Sequence, residues 1–216
     1  MDIQIQIDSA SLKADLVVPH DAKGIVLFAH GSGSSRFSPR NIYVAEVLNK
    51  VGFVTLLLDL LTSDEEKTDL DTAVFRFDID FLAERLVQAT KWAIENEKIS
   101  DSARSRLGYF GASTGAAAAL AACAQFSSGQ ISAIVSRGGR PDLAYKVLSK
   151  ITTPTLFIVG GNDKEVLELN QEALGQIEAS EKELSVIPGA THLFEERGAL
   201  EAVAKEAVRW FGKYLV

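Results

Sequence analysis

The sequence predicts an α/β fold: a mostly parallel central sheet of about eight strands, with an antiparallel N-terminal part and with helices on both faces. From Gly24 to the carboxyl end, short apolar runs alternate with stretches whose apolar residues recur at helical spacing. This alternation is typical of a parallel sheet covered by helices. Before Gly24, two alternating segments are joined by a tight turn near Ser9 and Ala10, which indicates a short antiparallel addition to the sheet.

Strands and helices are predicted in turn through the first half of the chain. A capping serine followed by proline, Ser38-Pro39, starts the first helix, and Gly52 lies where that helix should end. The second helix covers about 75–97, because its apolar residues fall on one face. The predicted strands are 3–7, 12–18, 24–29 and 53–60.

The second half of the chain continues the alternation. Helices are expected to separate the strands, and the last helix carries apolar residues on one face, which are Leu200, Val203, Ala204, Ala207, Val208 and Phe211. The predicted strands are 106–110, 131–135, 155–159 and 183–187.

One acidic stretch follows neither pattern. Residues 63–71 have no apolar periodicity, and we expect a solvated loop there. A metal site is the alternative, but the spacing of the carboxylates matches no common cation-binding loop. The sequence therefore predicts neither a metal nor a cofactor.

Length and composition limit the classes of protein to consider. A chain of 216 residues is long enough for one sizeable core, and since no linker is visible, residues 1–216 are predicted to form a single domain. The net charge of -7 argues against nucleic acid as a partner. Neither a membrane-spanning stretch nor a secretory signal is visible. The only cysteine, Cys123, excludes an internal disulfide and is expected to be a buried, unreactive thiol. We therefore expect a cytoplasmic protein, with its oligomeric state left open.

The most informative motif is G-x-S-x-G, which follows an apolar strand and leads directly into an alanine-rich helix. It runs from Gly111 to Gly115 with Ser113 at its centre. A serine on so tight a strand-to-helix turn projects its hydroxyl above the sheet edge, and the two glycines remove side chains that would collide there. Ser113 is therefore the candidate nucleophile.

A serine nucleophile needs an imidazole to take its proton, and the chain has three histidines. His20 lies in a turn before the core strands and is expected at the surface. His30 ends a buried strand and is expected to shape the loop that follows it. His192 lies in the loop after the last strand, at the sheet edge that also carries Ser113, and is the candidate base.

A carboxylate is expected to orient that imidazole. Asp163 follows a buried strand and two glycines, so the chain can turn sharply and direct the acid at His192. The alternative is that Asp163 is a turn residue or caps the next helix. The rival acid is Asp142, for which pairing with an arginine is the simpler explanation.

Backbone amides are expected to hold the oxyanion that forms during acyl transfer. One is the amide of Thr114, directly after the nucleophile. The other should come from the glycine-rich loop after the strand 24–29, where the amide of Ser32 is the first choice and that of Gly33 the next. This loop could also cradle a phosphate, but it lacks the lysine and the spacing of a P-loop.

Four motifs in order, HGSGSS, GASTG, GGND and GATH, make the chain similar to the α/β-hydrolases. More narrowly, it resembles the dienelactone-hydrolase-like group of small members without a cap. The resemblance covers nearly the whole chain and implies the α/β-hydrolase fold. Dienelactone hydrolases proper have a cysteine where this chain has Ser113, which favours a serine esterase over a dienelactone substrate. Too few residues follow the strand 131–135 for a lid, so the site is expected to be open.

Four arginines are predicted on loops at the same sheet edge, and they are Arg36, Arg40, Arg137 and Arg140. Arginines directed at one rim of an acidic protein could bind a carboxylate or a phosphate of the substrate. The alternative is that they pair with nearby carboxylates and brace the loops.

Together these features predict a serine hydrolase that cleaves a small ester, thioester or lactone through an acyl-enzyme on Ser113, with a small-molecule acyl substrate. A perhydrolase or an acyltransferase on the same scaffold is one alternative, and it would differ in the acceptor that reaches the acyl-enzyme. A non-catalytic binding protein that keeps the fold is another. The presence of a candidate for every role of the triad argues against it.

Overall fold

The computed structural model describes residues 1–8 and 10–215, and its centre is an eight-stranded sheet. Its strands are β1 (Asp2–Ile7), β2 (Ala10–Val17), β3 (Ile25–Ala29), β4 (Val54–Leu58), β5 (Leu107–Ala112), β6 (Ile131–Arg137), β7 (Thr155–Gly160) and β8 (Lys182–Ile187). Their spatial order is β1-β2-β4-β3-β5-β6-β7-β8. β2 pairs antiparallel with both β1 and β4, whereas the pairs from β4 to β8 are parallel. The predicted mixed sheet is confirmed, and Ser9 of the predicted turn lies outside the described residues.

Helices connect most of these strands. They are α1 (Pro39–Lys50), α2 (Ser63–Thr72), α3 (Ile79–Glu95), α4 (Asp101–Arg104), α5 (Thr114–Cys123), α6 (Lys164–Gln176) and α7 (Ala199–Tyr214). A 3₁₀ segment, Pro141–Lys150, follows β6 and is interrupted at Ala144. The short α4 was not predicted, whereas the 3₁₀ segment lies where a helix was expected to separate two strands. No cap domain interrupts the described residues.

The helices cover both faces of the sheet, as predicted. α1 and α7 pack on one face, and α3, α5 and α6 pack on the other. The central strands β3, β4 and β5 are buried along their whole length. Such strands need continuous apolar runs instead of an alternating pattern, and these runs made them recognisable in the sequence.

The alanine-rich helix α5 is buried at every residue. Its small side chains let it lie very close to the sheet: a Cβ added at Gly115 would be 2.2 Å from the carbonyl oxygen of Ala29. Only glycine permits this approach. The beginning of α5, and Ser113 before it, are thereby fixed against the end of β3.

The acidic stretch predicted to be a loop is the helix α2, so that prediction was wrong. The hydroxyl of Thr62 accepts a hydrogen bond from the amide of Glu65 at 3.2 Å, and the carboxylate of Glu65 accepts one from the amide of Thr62 at 2.7 Å. This capping box satisfies two amides of the first turn, and the acidic first turn suits the positive end of the helix. Contacts at its first turn therefore stabilise α2, which has no apolar face.

The long helix α3 begins later than predicted, at Ile79 in place of about residue 75. Asp78 caps it by accepting the amide of Phe81 at 3.0 Å. The turn before it is held by the buried Asp69, whose carboxylate accepts the amides of Phe75 and Arg76 at 2.8 and 3.0 Å. Residues 75–77 therefore belong to a turn, although the apolar side chains of Phe75 and Phe77 suggested the start of the helix.

Two further findings concern the described residues as a whole. None of their helices combines the length and the apolar character that a membrane crossing needs. No group of three or more His, Cys, Asp or Glu side chains among them is positioned to hold a metal ion.

Candidate active site

Ser113 occupies a strained turn between β5 and α5. Its backbone has φ 52° and ψ -121°, a conformation that residues other than glycine rarely adopt. The amide of Ser113 donates to the carbonyl of Arg137 at 3.1 Å, and its carbonyl accepts the amides of Ala116 and Arg140, each at 3.1 Å. A Cβ at Gly111 would lie 2.4 Å from Cα of Ala116, so the turn also requires glycine there. This is the geometry of a nucleophile elbow.

The imidazole of His192 lies against the carboxylate of Asp163, with 2.6 Å between Nδ1 and Oδ2. Asp163 is at the N-cap position of α6, yet its side chain makes no capping hydrogen bond. Since Nδ1 faces the acid, Nε2 is the ring nitrogen left for the pocket that His192 and Ser113 both line. Within the described residues, the Ser113 hydroxyl makes no hydrogen bond to this imidazole.

The loop that carries His192 comes close to the end of β7 because Gly160 has no side chain. A Cβ there would lie 2.4 Å from the carbonyl oxygen of Ala190. The amide of Asn162 donates to the same carbonyl at 2.9 Å. The GGND sequence therefore joins the turn of Asp163 to the loop of His192.

Two residues that the sequence analysis missed hold the same loop. Glu196 accepts hydrogen bonds from the hydroxyl and the amide of Thr191 at 2.6 and 3.1 Å, and these bonds, the hydroxyl's foremost, lower the pKa of Glu196. Phe194 is fully buried with a positive φ of 55°. No local sequence signal marks either residue, because both roles depend on the path of the folded loop.

The other two histidines and the rival acid, Asp142, lie in other surroundings. His20 is almost fully exposed. Nε2 of His30 accepts the amide of Leu60 at 3.1 Å, and its Nδ1 donates to the next carbonyl at 2.9 Å, so this side chain shapes the loop after β3. Burial lowers the pKa of His30. Asp142 accepts two hydrogen bonds from Arg140 at 2.7 and 2.9 Å.

The two segments that carry the amides predicted to hold an oxyanion are in contact. Gly31 packs against the elbow, because a Cβ there would lie 3.1 Å from Cβ of Ser113. The amide of Ser32 donates to the hydroxyl of Thr114 at 2.8 Å and is therefore already engaged. The amide of Thr114 begins α5, where the first four amides have no acceptor within the helix. Gly33 follows with a left-handed φ of 67°.

A cavity of about 260 Å³ opens beside Ser113. Besides Ser113, it is lined by Ser32, Arg40, Arg137 and His192, among others. Ligand pockets commonly measure roughly 300 to 1,000 Å³, so this one suits a small ligand.

Arg36 and Arg140 are engaged in ion pairs. The buried guanidinium of Arg36 binds the carboxylate of Asp59 and lies 3.2 Å from that of Asp15. Arg140 forms the two bonds to Asp142 described above. These contacts fit the bracing alternative for both arginines.

Arg40 and Arg137 differ from the other two, because both line the cavity that holds Ser113. Arg137 is buried, and its hydrogen bond is to a neutral group, the side-chain oxygen of Asn41 at 3.2 Å. Burial, with the neighbouring charge of Arg40, lowers the pKa of Arg137 to about 10. The ion pair of Arg40 is a 3.5 Å contact with the exposed Glu195. The buried Nε atoms of both arginines make no hydrogen bond to the residues that the structure describes.

Comparisons with known proteins agree with this geometry. The model of the dienelactone hydrolase family matches residues 12–215. The crystal structure of dienelactone hydrolase from Anabaena variabilis superimposes with a TM-score of 0.95 at 53% sequence identity, covering 100% of this chain and 98% of that one. Est1E from Butyrivibrio proteoclasticus shares the fold with a TM-score of 0.77 at 17% identity, covering 98% of this chain and 99% of its own.

The curated relatives are longer proteins. Two sequences from Mycobacterium tuberculosis strains, both named "Putative phosphoribosyl transferase", are 51% identical over 214 residues. The match covers 99% of this chain and 46% of each relative, so the chain spans about half of their length.

Proposed function

Because the chain belongs to the dienelactone hydrolase family, we propose that it is a serine hydrolase that cleaves a small ester, thioester or lactone through an acyl-enzyme on Ser113. The observation that carries the proposal is the 2.6 Å contact between Asp163 and Nδ1 of His192, which directs Nε2 at the cavity of the strained serine. Residues 1–216 act as one domain in this proposal.

The proposed reaction has two halves. In the first, Nε2 of His192 takes the proton of Ser113 as the serine oxygen attacks the carbonyl carbon. The tetrahedral intermediate then expels the alcohol or thiol, which receives that proton. In the second half, Nε2 deprotonates a water that attacks the acyl-enzyme, and the proton returns to the serine oxygen as the acid product leaves. Asp163 stays ionised and stabilises the imidazolium.

The oxyanion requires donors in both halves. The amide of Thr114 is one, and that of Ser32 is the other in this proposal. Since the amide of Ser32 is bonded to the Thr114 hydroxyl at 2.8 Å, the oxyanion must share or displace that contact. A charged oxygen is the stronger acceptor, which favours the exchange. Loss of one such donor lowers kcat by about a hundred- to a thousand-fold.

The proposed nucleophile is tested by labelling with a fluorophosphonate probe and by hydrolysis of p-nitrophenyl acetate. We expect the probe on Ser113 in the wild type, and neither labelling nor measurable turnover in Ser113→Ala. The exposed Ser128, replaced by alanine, is the matched control and keeps both. Circular dichroism shows that the variants fold. Labelling and turnover that persist in Ser113→Ala would exclude this mechanism.

The same assay separates hydrolysis from acyl transfer. Addition of an alcohol or of peroxide competes with water for the acyl-enzyme, and the products report the preferred acceptor. We expect the free acid to remain the main product when the alcohol or the peroxide is added in water, because the cavity is open to solvent. A main product that carries the added acceptor would favour the acyltransferase or perhydrolase alternative.

A further inference from the structure

The hydroxyl of Thr114 binds the amide of Ser32, which the proposed mechanism assigns to the oxyanion. The amide donates to the hydroxyl oxygen at 2.8 Å, and Thr114 is buried, with 3% of its surface exposed. The amide of Thr114 is the first of α5 and has no acceptor within the helix. Directly after Ser113, one residue therefore supplies both an amide and a hydroxyl.

Two cavities meet at this hydrogen bond. The larger one holds Ser113, and a smaller one of about 60 Å³ is lined by Thr114. Gly31, Ser32 and Ser34 line both cavities and form the wall between them. An oxygen that reaches the amide of Ser32 from the larger cavity therefore also approaches the hydroxyl of Thr114.

The proton of the Thr114 hydroxyl has no acceptor. Among the described residues this hydroxyl accepts one hydrogen bond and donates none. Three other buried threonines each donate to a backbone carbonyl at 2.7 to 3.3 Å, and they are Thr90, Thr153 and Thr155. Thr55 also only accepts, but it lines a different cavity. A buried donor without an acceptor costs free energy, so an acceptor that a ligand brings is favoured.

We propose that the Thr114 hydroxyl is a third donor to the oxyanion, beside the amides of Thr114 and Ser32. The inference rests on the proposed hydrolase function. An oxyanion bound to the amide of Ser32 lies about 3 Å from that nitrogen, and the hydroxyl oxygen is already 2.8 Å from it. Two oxygens that share one N–H repel each other unless a proton lies between them. The hydroxyl supplies that proton, because its buried side chain leaves it little room to withdraw.

The hydroxyl thus accepts a hydrogen bond in the empty site and donates one during the reaction. As the oxygen of Ser113 bonds to the carbonyl carbon, the electron pair of the C=O double bond moves to the carbonyl oxygen and the serine proton goes to Nε2 of His192. The new charge is then met by three donors. Hydrogen bonds to a charged oxygen are about twice as strong as those to a neutral one. The gain therefore falls in the transition state and acts on kcat more than on KM.

The first test replaces the hydroxyl without changing the shape of the side chain. In Thr114→Val we expect kcat for p-nitrophenyl acetate to fall by about 100- to 1,000-fold with little change in KM. Thr114→Ser keeps the hydroxyl and should restore most of the loss. Thr55→Val is the matched control, since it also removes a buried hydroxyl that accepts one hydrogen bond, and it should keep kcat. A Thr114→Val enzyme with a kcat equal to or above that of the wild type would overturn the third donor.

The second test needs no turnover. Trifluoroacetone should add to Ser113 as a hemiketal, and fluorine NMR over a range of pH measures the pKa of the hemiketal hydroxyl. Loss of a donor to its oxyanion should weaken this acid in Thr114→Val by about 100- to 1,000-fold. In Thr55→Val the acid should keep its wild-type strength, because a loss of stability alone does not change it. An unchanged hemiketal pKa in Thr114→Val would contradict the inference.

The two proposals fail in different ways. Fluorophosphonate labelling of Ser113 in the wild type, with normal kcat in Thr114→Val, leaves the hydrolase and removes the third donor. Slower but complete labelling of Ser113 in Thr114→Val supports both, because the phosphonyl oxygen needs the same donors. A wild type that forms neither the labelled serine nor the hemiketal removes the hydrolase, and the third donor with it.

Discussion

Asp163 occupies the N-cap position of α6 without capping it, and its carboxylate lies 2.6 Å from Nδ1 of His192 instead. An aspartate at this position commonly accepts an amide of the first turn. Here the side chain leaves those amides and reaches a residue 29 positions further along the chain. In this exchange, the carboxylate of Asp163 orients an imidazole instead of capping the helix.

This exchange predicts the effect of Asp163→Asn. An asparagine keeps the shape but lacks the charge that stabilises the imidazolium, and it also favours the wrong tautomer. We expect kcat for ester hydrolysis to fall by about a thousand- to ten-thousand-fold. The stability of α6 should change little, since no capping bond is lost.

Asp142→Asn is the matched control for that variant. Its carboxylate binds Arg140, and we expect kcat to stay close to the wild-type value. If Asp142→Asn were the damaging change and Asp163→Asn the mild one, the acid would be misassigned.

The close contact of α5 with β3 predicts a large difference between two glycine substitutions. In Gly115→Ala the new Cβ would lie 2.2 Å from the carbonyl oxygen of Ala29, so the elbow must shift. We expect a loss of about 3 kcal/mol or more in the free energy of unfolding, together with loss of activity.

Gly212→Ala is the counterpart in α7, where a Cβ meets nothing within 4 Å. Alanine should stabilise that helix by about 0.5 to 1 kcal/mol. Urea unfolding of both variants measures the difference. A Gly115→Ala protein as stable as Gly212→Ala would mean that α5 does not pack as closely as described.

The environment of Cys123 predicts an unreactive thiol. Burial raises the pKa of Cys123 to about 11, an effect partly offset by its contact with the hydroxyl of Thr153 at 3.2 Å. Since the thiolate is the reactive form, we expect no reaction with a disulfide reagent at pH 8 in the native protein and full reaction after denaturation. An exposed thiol introduced by Ser128→Cys should react at once. Equal rates for the two thiols in folded protein would contradict the burial of Cys123.

The fold could be predicted because its central strands are buried on both faces and most of its helices have apolar faces. The G-x-S-x-G turn was also predictable, since its geometry depends on residues next to one another. The helix α2 was missed, although its capping box, Thr62 and Glu65, is visible in the sequence. Hydrogen bonds at its first turn stabilise α2, and a search for apolar periodicity does not detect them.

The partners of the arginines could not be predicted. Arg36 pairs with Asp59 and Asp15, which are 23 and 21 positions away, and Arg40 contacts Glu195 across 155 positions. Which carboxylate meets which guanidinium depends on the paths of the loops, and no local pattern encodes those paths. Sequence therefore indicated the positive charge at this sheet edge, but not that Arg137 alone of the four arginines makes no ion pair within the described residues.

The buried His30 predicts a dependence of stability on pH. Burial lowers its pKa below the ordinary 6.5, against the opposing effects of the Gly31 carbonyl, Asp59 and Glu66. Between that lowered pKa and 6.5 the unfolded chain binds more protons, so this contribution is fully present above pH 6.5 and is lost as the pH falls. The slope is at most about 1.4 kcal/mol per pH unit. A protonated Nε2 could no longer accept the amide of Leu60, which ties the loop after β3 to the end of β4.

The variant His30→Gln isolates that contribution. Glutamine does not titrate, so the free energy of unfolding should fall less steeply between pH 7 and 5.5 than in the wild type, although the variant is less stable at pH 7.5. His20→Gln, at an exposed site, should reproduce the wild-type slope. Denaturant unfolding at four pH values measures the three slopes. If His30→Gln and the wild type lose stability in parallel, His30 does not remain neutral in the folded protein, and its contact with Leu60 cannot be the pH-sensitive support of the loop that carries Ser32.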